Sequence, residues 1–236
     1  MTEKQKSNID IWLERETSHK QKALENASRY FDENDNLTVN TLEAVYGQES
    51  SFGTMLGKRG TDDAAGHFRL EKATAERYGL IVSKENDQRF DIDYASSGAA
   101  RYLKDLNGIF SKKTTLLKDL KSVPVKNISE RKKFVLGSYN GGEGRIARAQ
   151  HLAEQAGKDP QVWNHVEKFL EAAKATKAKA DEIKQFIQKV LCYEIEFSEK
   201  SPADKKSKKK KGEKSVSRCT EGHWVTIDDR PVFICD

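Results

Sequence analysis

Apolar residues recur at helical spacing along most of the chain between residues 38 and 191, and short polar or glycine-rich segments interrupt them. Leu42, Val45, Tyr46 and Glu49 fall at positions i, i+3, i+4 and i+7, which places them on one helical face. This alternation of helix and short loop predicts a mainly α domain whose core is built from such faces. With 236 residues, of which 36% are hydrophobic, the chain is long enough for one sizeable core.

Four segments follow from the composition along the chain. Residues 1–36 are predicted to form an N-terminal helical extension, and residues 37–199 the main helical domain. Residues 200–217 are a lysine-rich linker, and residues 218–236 are predicted to form a β-hairpin tail, because two short β-type runs flank an Asp-Asp pair. A two-stranded hairpin is marginally stable alone, so we expect this tail to dock on another surface, such as a protein partner.

The positive charge is concentrated in the linker. The net charge of the chain is +5, and residues 201–214 hold seven Lys, one Asp and one Glu, which also gives +5. The rest of the chain is therefore balanced, which argues against a nucleic-acid-binding face. No apolar run approaches the ~18 residues of a membrane span, and the first residues lack the apolar stretch of a secretory signal peptide. We therefore expect synthesis in the cytoplasm and no integral membrane segment.

The cysteines do not indicate a metal site. Cys192, Cys219 and Cys235 are odd in number and widely spaced, which excludes a four-ligand zinc module of the usual spacing. Cys219 and Cys235 flank the predicted hairpin, so they either pair in an oxidising compartment or remain as thiols. The sequence predicts no metal.

A single carboxylate stands out in YGQESSFG, Tyr46–Gly53. Glu49 ends the apolar helical face, so it is expected to be partly desolvated, and desolvation raises the pKa of a carboxyl group. A glutamate that stays protonated near neutral pH can donate its proton to a leaving group. The alternative is a solvated glutamate at the end of a fraying helix.

YGQESSFG resembles the E-S-x-F/G signature of soluble lytic transglycosylases and goose-type lysozymes, glycoside hydrolase family 23. FVLGSYNGGEGRI, Phe134–Ile146, resembles the A-Y-N-A-G-x-G-x-[IV] motif of the same family. Three further segments are similar to family motifs in the expected order: Ala64–Leu80, Ser97–Phe110 and Glu182–Leu191. The resemblance covers about two-thirds of the chain, and it is carried by the order and spacing of the motifs.

The resemblance implies a lysozyme-like helical domain with a groove for the glycan strands of peptidoglycan. The single essential glutamate of the family falls on Glu49. It would protonate the glycosidic oxygen between MurNAc and GlcNAc and then act as base on the C6 hydroxyl of the same MurNAc, which closes a 1,6-anhydro ring. The N-acetyl group of the substrate would assist, so no second carboxylate, metal or cofactor is required. Chitin oligomers share that N-acetyl group and are a further candidate substrate.

The resemblance also assigns substrate-binding roles. Ser50 would contact the sugar or hold Glu49. Tyr139 and Asn140 would hydrogen-bond to the N-acetyl group or to the glutamate, and Gly141 would let the backbone pass close to the sugar. Packing in the core or a turn is the structural alternative for each of them.

Three residues depart from the family pattern or border such a departure. Phe68 and Arg69 stand within the segment where the family has L-M-Q, and Phe68 either lines the groove or belongs to the core. Arg69 can only donate hydrogen bonds, and its charge would lower the pKa of a nearby Glu49. Phe186 replaces a tyrosine and lacks its hydroxyl. These departures are also compatible with a second function, that of a peptidoglycan-binding module with weak or no catalysis.

Hydrolysis is the other alternative, because goose-type lysozymes share the motifs and use water. Inverting hydrolysis needs a second carboxylate, for which Asp62, Asp63 and Glu71 are candidates, although all three also suit an exposed surface. The tail HWVTIDDRPVFI, His223–Ile234, resembles short hairpin endings of phage-type and delivered bacterial proteins. Combined with the expected lack of a signal peptide, it favours a phage-related or otherwise delivered protein that acts on the cell wall.

Overall fold

The computed structural model describes residues 7–200, 222–227 and 230–235. It confirms a mainly helical fold with a small C-terminal hairpin. The helices are α1 (Asn8–Glu14), α2 (Ser18–Ser28), α3 (Val39–Ser50), α4 (Lys72–Arg77), α5 (Ile92–Ser111), α6 (Ile128–Gly141), α7 (Glu143–Gln155), α8 (Trp163–Val166) and α9 (Lys177–Lys200). The strands are β1 (Thr115–Leu117), β2 (Leu120–Lys121), β3 (Gly222–Ile227) and β4 (Arg230–Cys235).

The start of helix α6 is capped by the side chain of the residue before it. The side chain of Asn127 accepts hydrogen bonds from the backbone N–H groups of Ser129 and Glu130, which satisfies two amides at the start of the helix. The carboxylate of Glu130 does not complete a capping box. It pairs instead with Lys133 Nζ at 2.7 Å and accepts a hydrogen bond from the backbone N of Trp163 at 2.7 Å. The same residue therefore joins the start of α6 to α8.

Helix α3 lies at the centre of the packing. Leu42, Val45 and Tyr46 are fully buried, as the helical spacing predicts. This helix packs along α9 and also contacts α2 and α5, while α6 packs against α5, α7 and α9. The C-terminal ends of α3 and α6 carry Glu49 and Tyr139, so the two helices bring the two main sequence motifs into one region.

The N-terminal helices share this core. The ring of Trp12 on α1 stacks with Phe52, at 6.2 Å between ring centroids, and with Phe197 of α9, at 6.4 Å. Gly47 makes the approach of Trp12 to α3 feasible, because a Cβ at that position would lie 2.4 Å from the indole ring. The extension predicted for residues 1–36 therefore supports the helix that bears Glu49.

A buried ion pair organises the loop that follows α3. Arg89 is 1% exposed, and its guanidinium donates to both carboxylate oxygens of Asp87, at 2.9 and 2.8 Å. It also donates to three backbone carbonyl oxygens of the loop, at 2.8 to 3.0 Å: those of Thr61, Asp63 and Leu70. One guanidinium thus ties three points of the loop to a single buried carboxylate.

The backbone of this loop also contacts Arg89 directly. The N–H of His67 donates to the Arg89 carbonyl oxygen at 2.8 Å. Gly66 has a φ of +81°, and a Cβ there would lie 2.0 Å from the same oxygen, so only glycine fits. This contact fixes the path of the chain just before Phe68 and Arg69.

Some of the β structure was not predicted. Strands β1 and β2 form a short antiparallel hairpin around residues 118–119, in a stretch too short to give a periodic signal. The C-terminal hairpin is confirmed, with β3 and β4 paired antiparallel from Gly222 with Cys235 to Ile227 with Arg230. Most of the lysine-rich linker, from residue 201 on, lies outside the described residues, as does Cys219, whose pairing with Cys235 the sequence leaves open.

Within the described ranges, no helix is both long enough and apolar enough to cross a lipid bilayer. The same ranges contain no group of three or more His, Cys, Asp or Glu side chains arranged to hold a metal ion.

Replacing Arg89 with leucine is expected to lower the free energy of unfolding by about 3–5 kcal/mol, because the carboxylate of Asp87 would stay buried without its cation. Arg77→Leu is the matched control, since the side chain of Arg77 is 60% exposed and forms an ion pair with Glu143 at 3.6 Å. An exposed ion pair of this kind contributes about 0–1 kcal/mol to stability. Urea denaturation measures both. Equal losses in the two variants would contradict a central role for Arg89.

Candidate active site

Glu49 occupies the last turn of α3 and is half-buried. Burial raises the pKa of its carboxyl group to about 8, because the charged form loses its hydration. The charges of Arg69 and Lys179 act in the opposite direction, and the negative charge of Glu182 adds to the increase. Burial outweighs the two cations, so Glu49 retains its proton near neutral pH.

Arg69 acts on Glu49 in the direction expected from the sequence, but with less effect than burial. Its backbone has a φ of +47°, which is unusual for a residue with a side chain. Arg69 lies two residues after His67, whose backbone N–H is bonded to the carbonyl oxygen of Arg89. The residue that forms the buried ion pair therefore also fixes the position of Arg69.

Tyr139 lies beside Glu49 and connects α6 to the loop after α3. Its hydroxyl donates a hydrogen bond to the carbonyl oxygen of Phe68 at 2.8 Å. Its ring is parallel to that of Phe186 on α9, with centroids 6.2 Å apart, and it also contacts Tyr102 at 5.3 Å. Burial and the neighbouring Glu49 raise the pKa of Tyr139 well above its usual value, so Tyr139 stays a neutral donor.

Two residues expected to contact substrate have internal partners instead. Ser50 is fully buried; its hydroxyl donates to the carbonyl of His67 at 2.7 Å and accepts from the N–H of Gly53 at 3.1 Å. Phe68 is 1% exposed and stacks on Tyr46 at 5.3 Å. Both side chains therefore fasten the loop to α3, and the backbone of Phe68, through its carbonyl, reaches Tyr139.

Gly141 and Phe186 likewise pack inside the protein. Gly141 is buried, and a Cβ there would lie 2.5 Å from Cδ1 of Ile183 on α9. Phe186 is 3% exposed and supports the ring of Tyr139. Gly141 thus allows the close approach of α6 and α9 that brings Asn140 to Glu182: Asn140 Nδ2 donates to Glu182 Oε1 at 3.0 Å.

The carboxylates proposed from sequence for hydrolysis lie on the surface. The side chain of Asp62 is 89% exposed and 3.4 Å from Lys72. Asp63 and Glu71 are also exposed, and Asp63 accepts a hydrogen bond from the hydroxyl of Thr61 at 3.2 Å. The carboxylate whose charge acts on Glu49 is Glu182. Its place at the start of the segment Glu182–Leu191 was the only sequence signal for it.

A raised pKa does not by itself mark the site. Glu43 lies on the same helix, and burial raises its pKa to about 8 as well, with further contributions from Glu16 and Glu25. Glu43 therefore faces other acids of the N-terminal helices. Glu49 differs because cations and the hydroxyl-bearing ring of Tyr139 surround it, which is an arrangement suited to charge that changes during a reaction.

The sequence model of the family described as "Transglycosylase SLT domain" matches residues 26–162, more than half of the chain. The chain belongs to this family. The matched part of the SLT domain contains Glu49, Arg69, Tyr139 and Asn140, whereas Glu182 on α9 lies beyond it.

Several relatives carry the description "Membrane-bound lytic murein transglycosylase F". This chain is 33% identical over 105 residues to the relative from Marinobacter nauticus, and the match covers 44% of this chain and 17% of the relative. It is 31% identical over 131 residues to the one from Shewanella frigidimarina, covering 55% and 23%. For Desulfosudis oleivorans the values are 25% identity over 161 residues, 64% and 31%. The chain thus spans less than a third of the length of these curated relatives.

Replacing Arg69 with glutamine, the residue at that position of the family motif, is expected to raise the pKa of Glu49 above about 8. Loss of the positive charge destabilises the carboxylate, so the proton is retained to higher pH. A ¹³C NMR titration of the Glu49 carboxyl carbon measures the shift. Arg69→Lys keeps the charge and is the control. A pKa that stays constant or falls in Arg69→Gln would show that the Arg69 charge does not reach Glu49.

Proposed function

We propose that this chain is a peptidoglycan lytic transglycosylase, which cleaves the MurNAc-β-1,4-GlcNAc bond and forms 1,6-anhydroMurNAc. The observation that carries the proposal is the position of Glu49: a half-buried carboxyl group with a pKa of about 8, beside Tyr139 and within reach of the Arg69 charge. Membership of the SLT domain family and the names of the relatives support the same activity.

In the first step, Glu49 donates its proton to the glycosidic oxygen, and the bond between that oxygen and C1 of MurNAc breaks. The GlcNAc side leaves with the proton as a hydroxyl group. The N-acetyl group of the substrate stabilises the positive charge at C1, which removes the need for a protein nucleophile. A carboxyl group with a pKa near 8 is protonated at neutral pH and is therefore ready for this step.

In the second step, the Glu49 carboxylate removes the proton from the C6 hydroxyl of MurNAc, and the C6 oxygen bonds to C1. The anhydro ring closes, Glu49 regains its proton, and no water is consumed. Burial favours the protonated form of Glu49, which the first step requires, and makes its carboxylate a stronger base, which the second step requires. The same environment therefore serves both steps. Arg69 would pair with a carboxylate of the substrate, such as the lactyl or stem-peptide group.

Hydrolysis is the second candidate, and Glu182 is the observation that favours it. Partial burial opposes ionisation of Glu182, but hydrogen bonds from Lys179 and Asn140 lower its pKa, so it remains a carboxylate near Glu49. A carboxylate in such a place would activate water in an inverting mechanism. Its two hydrogen bonds already occupy it, which is why we favour ring closure.

We propose that the chain acts where peptidoglycan lies, in the periplasm or cell wall, as a phage-associated or otherwise delivered protein. The C-terminal hairpin would bind a protein partner. Among the described strands, β3 pairs only with β4, and a two-stranded sheet has open edges that can accept a further strand.

Digestion of purified peptidoglycan, followed by mass analysis of the released muropeptides, tests the reaction. Anhydro ends, one water lighter than reducing ends, are the expected result. Reducing MurNAc ends that incorporate ¹⁸O from labelled water would establish hydrolysis instead. Retained binding to sacculi with no release of fragments would indicate a binding module.

Replacing Glu49 with glutamine is expected to lower the turnover number by about 10²–10⁴-fold, because the variant can neither donate nor accept the proton. Glu43→Gln is the matched control, as it removes a buried carboxyl group with a similar pKa from the same helix. Muropeptide release by each variant is compared with that of the unaltered protein. Near-normal release by Glu49→Gln would exclude this mechanism.

A further inference from the structure

A groove of about 540 Å³ lies at the other end of α3 from Glu49. Its walls are the second half of α9 and the first turns of α3 and α6, and most of the surface exposed in it is apolar. Asn40, which lines the groove, stands nine residues before Glu49, about 14 Å along the helix axis. The groove has the size of a binding site and takes no part in the proposed reaction.

The α9 wall supplies the apolar surface of the groove. Leu191, Cys192 and Ile195 line this wall, and Ile195 is 48% exposed. Single exposed apolar side chains are common on proteins, whereas apolar residues gathered in a concave site mark a surface that binds another one.

The charged groups of the groove do not call for an anionic ligand. Lys132 pairs with Glu194 at 2.5 Å, and Lys133 pairs with Glu130 at 2.7 Å. Both ammonium groups are thus neutralised within the protein. The occupant that fits the groove is therefore an apolar surface rather than a small anion.

The C-terminal hairpin offers such a surface. Its strands contain six large apolar residues: Trp224, Val225, Ile227, Val232, Phe233 and Ile234. In the register of the strands, Trp224 pairs with Phe233. The next pair along is Val225 with Val232. Directly opposed residues of antiparallel strands share a face, and successive pairs alternate, so each face carries an apolar pair that two strands alone cannot bury.

The chain leaves α9 next to the groove. Ile195 lies five residues before Lys200, the last residue of α9, which is about 7.5 Å along the helix axis. Residues 201–221 join Lys200 to Gly222, and a chain of this length can span up to about 70 Å. The hairpin can therefore reach the groove of its own chain, and the covalent connection raises its effective concentration there.

We propose that the C-terminal hairpin docks in this groove of its own chain, with the face that carries Trp224 against the apolar wall of α9. Docking removes apolar surface of both parts from water. The opposite face and the open edges of the hairpin stay accessible, so a protein partner can still add a strand there. The inference goes beyond the proposed activity and does not depend on it, because the groove lies away from Glu49.

Fluorine NMR of the full chain labelled with 5-fluorotryptophan tests the docking. The chain holds three tryptophans, of which Trp12 and Trp163 are 5% and 3% exposed, so their signals report on the folded core. Trp224→Phe identifies the third signal. We expect this signal to shift little between H₂O and D₂O in the folded protein, as a buried indole does, and to shift fully in urea.

Ile195→Lys places a charge in the groove and is expected to release the hairpin, so that the solvent shift of Trp224 rises to its value in urea. Ile81→Lys is the matched control, because Ile81 is 52% exposed and does not line the groove. Ser129→Arg, on the α6 wall, should act as Ile195→Lys does. Unchanged signals of the two core tryptophans show that each variant is folded.

Three results would overturn the inference. A full solvent shift of Trp224 in the unaltered protein would show that the hairpin is not docked. Protection that persists in both groove variants would place the hairpin elsewhere, and equal loss in Ile81→Lys would trace the release to added charge alone. Protection that disappears on dilution would also contradict docking within one chain, because the hairpin of a second copy would then fill the groove. None of these measurements depends on whether the chain cleaves peptidoglycan.

Discussion

The buried pair of Arg89 and Asp87 is the interaction on which the rest of the site depends. Its guanidinium satisfies acceptors at three points of the loop after α3, and the backbone of Arg89 holds the turn at Gly66. From that turn the loop presents the carbonyl of Phe68 to Tyr139 and the side chain of Arg69 to Glu49. A buried cation thus sets the geometry around the proposed acid.

The protonation state of Glu49 results from opposed effects. Burial favours the neutral acid, Arg69 and Lys179 favour the carboxylate, and Glu182 favours the acid again. The pKa of Glu43 on the same helix is similarly raised, by burial together with the negative charges of Glu16 and Glu25. What distinguishes Glu49 is its set of partners, which come from three separate parts of the chain. A proton that must leave and return needs such balanced surroundings more than it needs an extreme pKa.

Helical spacing predicted the buried face of α3 and the helical class of the chain. It did not predict that Phe68 turns inward, because a loop has no periodicity from which the inner and outer sides can be read. The β1–β2 hairpin was not predicted either, because its strands, three and two residues long, are too short to show a period.

The sequence by itself determined that Glu49 ends an apolar helical face, and that the motifs of the transglycosylase SLT domain family follow one another in order. Only the tertiary structure decided which charges act on Glu49. The candidates near it in sequence, Asp62, Asp63 and Glu71, lie at the surface, whereas Glu182 reaches it from α9. The reason is physical: electrostatic interactions depend on distance and burial in space, and helix packing, here at Gly141 and Ile183, sets both.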